Sequence, residues 1–169
     1  SVHAYDTAET VVGQGTLFCE WEQQGLQADT LIIAVGGGGL ISGAISWFGK
    51  TRKIVAVEPE KCPTLNVALE NGKPTSVSVS GVAANALGAK LIGNICFNLS
   101  VRNEIESVLV SDSEIVEAQK LLWEKHRMLV EPAGAAALAA IISGKYQHSP
   151  NEKLAILICG ANPTVAPDF

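Results

Sequence analysis

The chain alternates short, uniformly apolar runs with longer segments whose apolar positions recur at helical spacing. The short runs are "LIIAV", "KIVAVE", "IESVLV" and "KLAILI", beginning at Leu31, Lys53, Ile105 and Lys153. Such runs, without polar alternation, suit strands covered by helices on both faces. Between them, residues 7–25 read as a helix with a loose start and a stop at Gly25. Residues 40–50 continue as a helix after a run of glycines. Residues 62–72 read as a helix opened by Pro63 and closed by Gly72. Residues 86–100 read as one further helix. Over residues 111–126, Ser111 and Glu114 have capping-box spacing, and Ile115, Ala118 and Leu122 share a face. Residues 132–144 form the last helix, with Pro132 in its first turn and Gly144 past its end. This order predicts an α/β fold, a mainly parallel sheet with helices on both faces, in a single domain over residues 1–169.

Composition narrows the class. Hydrophobic residues are 47% of the 169, enough for a real core and against disorder. The net charge is −5 and the basic residues form no cluster, which argues against a nucleic-acid partner. No apolar run approaches a membrane span, and the first ten residues lack the pattern of a signal peptide. Cys19, Cys62, Cys96 and Cys159 are scattered, with no pair or His spacing suited to zinc, so a reduced, cytoplasmic protein is expected.

The strongest local signal is "VGGGGLISG", where Gly36, Gly37, Gly38 and Gly39 join the first strand to a helix. Glycine is costly to order. One or two would serve a tight turn or close packing; four suggest that backbone N–H groups converge on an anion, aided by the positive end of the following helix. In that reading a branched side chain at Gly38 would stand where the anion approaches. If the strands are parallel, this loop, the end of the second strand at Glu58, and the loop containing Cys159 and Asn162 open on one side, where ligands of open α/β sheets bind.

Nucleotide-binding readings fit less well. G-x-G-x-x-G would need a sixth-position glycine, and Ile41 or Ser42 stands there. Glu58 could serve as a ribose-binding acid, which keeps a Rossmann-type domain as a distant alternative. Gly49-Lys50-Thr51 looks like the end of a Walker A loop, but Ala44 replaces the required earlier glycine and a helix precedes the segment.

Taken together, "VGGGGLISG", "VEPAGAAALAA" and "ICGANPT", with "AYDTAETVVGQGT" ahead of them, resemble the threonine/serine dehydratase and serine racemase family, pyridoxal phosphate enzymes of fold type II. The resemblance covers nearly the whole chain, in order. It implies that Gly36, Gly37, Gly38, Gly39 and Leu40 hold the cofactor's phosphate through backbone amides. It implies that Cys159 faces the pyridine nitrogen as a neutral partner, and that Glu131, in the family's Glu-Pro-Ala-Gly motif, lies near the cofactor. Two other readings stand beside these: Cys159 as a small buried apolar residue, and Glu131 as a carboxylate stabilising the next helix. The implied partner is a small amino-acid substrate.

The sequence also departs from the family. Asn85 stands where an Asp is frequent. Glu58 and the carbonyl of Cys62 match positions that bind a divalent cation in some members, but Thr64 replaces the second acid, so no metal is assigned. His3, His126 and His148 match nothing catalytic; His126 suits a helix end, offsetting the dipole. None of the nine lysines lies in a Ser-Phe-Lys-x-Arg-Gly type motif, which carries the Schiff-base lysine, and the Ser/Asn-Gly-x-x-Gln loop for the substrate carboxylate is also missing. The chain therefore resembles the C-terminal half of the enzyme. It is read either as a piece of an amino-acid dehydratase (or of a serine racemase-like enzyme), inactive alone, or as a non-catalytic half-domain. In both cases self-association, or pairing with an N-terminal half, is expected.

Overall fold

The computed structural model describes residues 3–161. A four-stranded, wholly parallel sheet has the order β3-β2-β1-β4, with β1 at Thr30–Ala34, β2 at Lys53–Pro59, β3 at Glu106–Val110 and β4 at Leu154–Ile156. Thr30 pairs with Lys53 on one side and with Leu154 on the other, so β1 is central and buried throughout.

The uninterrupted apolar runs are explained by the two layers. Ile32, Ala34, Val55 and Val57 face a cluster with Ile115, Ala118, Leu122 and the alanines of the last helix. Leu31, Ile33, Ile54 and Ala56 face the opposite cluster, with Phe18, Ile41, Ala44 and Phe48. Helices α6 (Asp112–His126) and α7 (Pro132–Ile142) cover the first face; α1 (Ala8–Gln23), α2 (Gly39–Phe48), α3 (Thr64–Asn71) and α5 (Asn94–Asn103) cover the second.

Local chemistry sets the helix ends. Thr7 caps α1 by accepting from the Thr10 N–H. Ser111 and Glu114 form the complete capping box of α6, worth about 1 kcal/mol. His126 is the last residue of α6, where a cation is favoured by the dipole. Pro132 occupies the first turn of α7, and Gly72 closes α3 in the left-handed conformation.

Two expectations need correction. Residues 86–100 are not one helix. The short α4 (Ala84–Leu87) ends at Gly88, and α5 starts only after Gly93, which is extended. A distant side chain fixes the new start: Asp6 Oδ1 accepts from the Ile95 N–H at 2.9 Å. The last strand is also shorter than residues 153–158. Among the described residues it is paired on one side only, and its residues are half-buried. The Walker-like Gly49-Lys50-Thr51 is simply the turn after α2, with the Thr51 N–H donating to the Phe48 carbonyl at 2.9 Å.

Candidate active site

The β1/β4 neighbours define the point where strand order reverses, since the chain leaves β1 toward β2 on one side and β4 returns on the other. Ligands of open parallel sheets bind outside the carboxyl ends of the strands at such a point. A cleft of about 270 Å³ lies there, lined by Gly36, Gly37, Gly38, Gly39, Leu40, Glu131 and Cys159 together with Ala4, Tyr5 and Gln14.

The glycine loop is built from the strand outward. Val35 ends the ladder with its N–H on the Val57 carbonyl, and the next regular backbone bond runs from the Ser42 N–H to the Gly38 carbonyl at 3.0 Å. Between them, the N–H groups of Gly36, Gly37, Gly38, Gly39, Leu40 and Ile41 find no acceptor among the described residues. Six consecutive donors are thus free at the mouth of a cleft, three of them in the first turn of α2. No Lys or Arg lines that cleft. Donation to an anion would come from the backbone and the helix dipole.

The need for four glycines has a different origin from the one expected. Gly38 is left-handed, at φ +95°. A Cβ on it would point away from the cleft, into Cys96 and Ile92, rather than into the path of an anion. A Cβ on Gly36 would come within 3.0 Å of the Leu87 Cα, one on Gly37 would enter the Tyr5 ring, and one on Gly39 would approach the Tyr5 Cα to 3.2 Å. Close packing therefore accounts for all four glycines, and the free N–H groups, not the glycine count, argue for an anion.

The other two residues arrive from the opposite layer. Glu131 is the N-cap of α7, yet its carboxylate makes no capping bond. Its N–H donates to the Gly160 carbonyl at 3.4 Å, and a Cβ on Gly134 would meet that same carbonyl at 2.7 Å. This approach holds the start of α7 against the loop after β4. Cys159 is exposed, not a buried apolar filler. Although the residue is exposed, partial desolvation by the protein around its sulfur, and secondly the charge of Glu131, push its thiol up from the ordinary value. Asn162 lies outside the described residues.

Glu58 is not part of the cleft. It is fully buried and caps α3: Oε1 accepts from the Leu65 N–H and Oε2 from the Asn66 N–H, each at 2.7 Å, and Thr64 and Ser107 add their hydroxyls. Burial pushes its carboxyl up to about 7, against the lowering effect of those donors. The ribose-binding role is thereby corrected, since both oxygens are committed inside the fold. Thr64 is shared with the glycine loop, its hydroxyl oxygen 3.0 Å from the Gly36 carbonyl oxygen. Asn85 sits exposed on α4. Among the described residues, no three His, Cys, Asp or Glu side chains gather as metal ligands, and no helix is long and apolar enough to cross a membrane.

Tyr5 and Gln14 were not predicted for the site. Tyr5 lies over the loop because its hydroxyl donates to the Leu91 carbonyl, 86 residues away, at 3.2 Å. No local pattern encodes such a contact.

A glycine loop at the end of a parallel strand and the thiol of Cys159 thus line one cleft of an α/β fold. The chain belongs to the pyridoxal-phosphate dependent enzyme family, whose model matches residues 1–160. It is 32% identical over 168 residues to the phenylserine dehydratase of Ralstonia pickettii, covering 98% of this chain and 52% of that one. It is 35% identical over 162 residues to the biosynthetic L-threonine dehydratase IlvA of Haemophilus influenzae, covering 94% of this chain and 32% of that one. Maize serine racemase superposes with a TM-score of 0.87 at 29% identity, over 96% of this chain and 52% of that one. The chain thus spans a third to about half of these relatives.

Proposed function

We propose that this chain is the phosphate-binding and ring-binding part of a pyridoxal phosphate-dependent dehydratase acting on a small hydroxy amino acid such as threonine or serine. The observation that carries the reading is the row of six N–H groups from Gly36 to Ile41 without an acceptor among the described residues, in one cleft with Cys159 and Glu131. Gly36, Gly37, Gly38, Gly39 and Leu40 would hold the phosphate dianion. Cys159 would face the pyridine nitrogen as a neutral thiol, consistent with its raised pKa. Bound pyridoxal phosphate supplies a ring that stabilises negative charge developing at the substrate's α-carbon. A neutral partner at the ring nitrogen moderates that stabilisation, which favours loss of the β-hydroxyl.

None of the nine lysines lines the cleft. The amine that such chemistry requires is assigned to the portion of the relatives that this chain does not match. The four free cysteines suit a reduced, cytoplasmic setting. The test pairs two assays on the purified 169-residue chain. Pyridoxal phosphate should bind weakly and be displaced by inorganic phosphate, and no 2-oxo acid should form from threonine or serine above a cofactor-only control. Oxo-acid release by the chain alone, or cofactor binding indifferent to phosphate, would overturn the reading.

A further inference from the structure

We infer that Gln14 is a further ligand of the anion seated on the glycine loop, its carboxamide donating to a phosphate oxygen. The inference deepens the phosphate-site reading and rests on it. Gln14 lies in the middle of α1, a rigid element, and its half-buried side chain lines the cleft beside Leu40 and Cys159. Its amide has no hydrogen-bond partner among the described residues; the same holds for Gln27, but that residue is exposed, whereas Gln23, Gln24, Gln119 and Gln147 donate theirs. Its polar atoms are not sealed from water, so the carboxamide is available to a ligand that can accept from it.

The backbone shows how Gln14 reaches this place. One turn into α2, Gly43 lets α1 come close: a Cβ there would lie 2.6 Å from the Gly15 nitrogen and 2.9 Å from the Gln14 Cβ. The crossing point of the two helices is therefore set at Gln14 itself, next to the first turn of α2, where the free N–H groups are. In a cleft without Lys or Arg, a side-chain amide can add a donor without a charge, completing a set otherwise made of backbone.

The test measures inorganic phosphate and pyridoxal phosphate binding at pH 7.5 to the wild-type chain and to Gln14→Leu and Gln14→Glu. Gln14→Leu keeps the packing volume and should weaken both ligands about tenfold, the effect of losing a hydrogen bond to a charged group. Gln14→Glu should weaken them further, because its carboxylate would face the phosphate. Urea midpoints confirm that each variant is folded, and Gln14→Ala replaces Gln14→Leu if that variant is not. Equal binding by wild type and both folded variants overturns the role of Gln14 while leaving the phosphate site standing. Failure of the wild type to bind either ligand overturns the phosphate-site reading, and this inference with it.

Discussion

The side chain of Cys96 fills the space into which a Cβ on Gly38 would project, with the two β-carbons only 2.5 Å apart. Gly38 is thus closed from behind by α5 and free in front. Its left-handed φ adds a cost for any other residue. Gly38→Ala is expected to destabilise the fold by roughly 2–4 kcal/mol, from overpacking and strain combined. Urea denaturation reads this directly. A Gly38→Ala protein as stable as wild type would show that the loop is not packed as described.

Two buried or bonded carboxylates give stability opposite dependences on pH. Glu58 titrates at about 7 in the fold against an ordinary 4.5, so the folded state binds the proton more tightly. Its contribution is full below about 4.5 and is lost as pH rises to 7. Glu152 is held at about 2 by the hydroxyls of Thr30 and Tyr146, so its contribution is present above 4.5 and lost as pH falls toward 2. Glu58→Gln should flatten the upper limb of a stability–pH curve and Glu152→Gln the lower one. If each variant keeps the wild-type slope in its own window, these assignments are wrong.

Cys159 is exposed while Cys62 and Cys96 are buried. Alkylation of the native chain should therefore modify Cys159 and spare those two. Its raised pKa comes from partial desolvation and from Glu131, so Glu131→Gln should speed the reaction at fixed pH. Pyridoxal phosphate should protect Cys159 more than inorganic phosphate does, because only the former places a ring there. Mass mapping of the labelled peptide decides each point, and unchanged reactivity in Glu131→Gln would separate the two residues.

Among the described residues, strand β4 pairs with β1 alone, and Leu157 lines a surface hollow with Leu17 and Trp21. An open strand edge beside apolar side chains drives association. Light scattering of the 169-residue chain at micromolar concentration should give a dimer or larger. A monomeric mass would mean that the edge is covered in some other way.

Much of the fold was legible because it rests on local chemistry. The capping box at Ser111, Pro132 in the first turn of α7 and the first three apolar strands all act within a few residues, and appear where expected. What was misread depends on distant partners. The start of α5 is set by Asp6, and the helical appearance of residues 86–100 gives no hint of it. Glu58 looked like a ligand-binding acid at a strand end, but α3 folds back over it and takes both oxygens. The glycine run stands out in the sequence, yet its packing role does not, because Tyr5, Leu87 and Cys96 are invisible as its neighbours in one dimension.

The role proposed for the cleft depends on the backbone of the glycine loop binding the phosphate of pyridoxal phosphate. Amide chemical shifts of the isotopically labelled chain, followed while inorganic phosphate and then pyridoxal phosphate are added, test it most directly. The N–H signals of Gly36, Gly37, Gly38, Gly39 and Leu40 should move together and saturate with both ligands, and Cys159 should respond to pyridoxal phosphate alone. Binding that leaves those five amides unmoved, with shifts elsewhere on the surface, would contradict it.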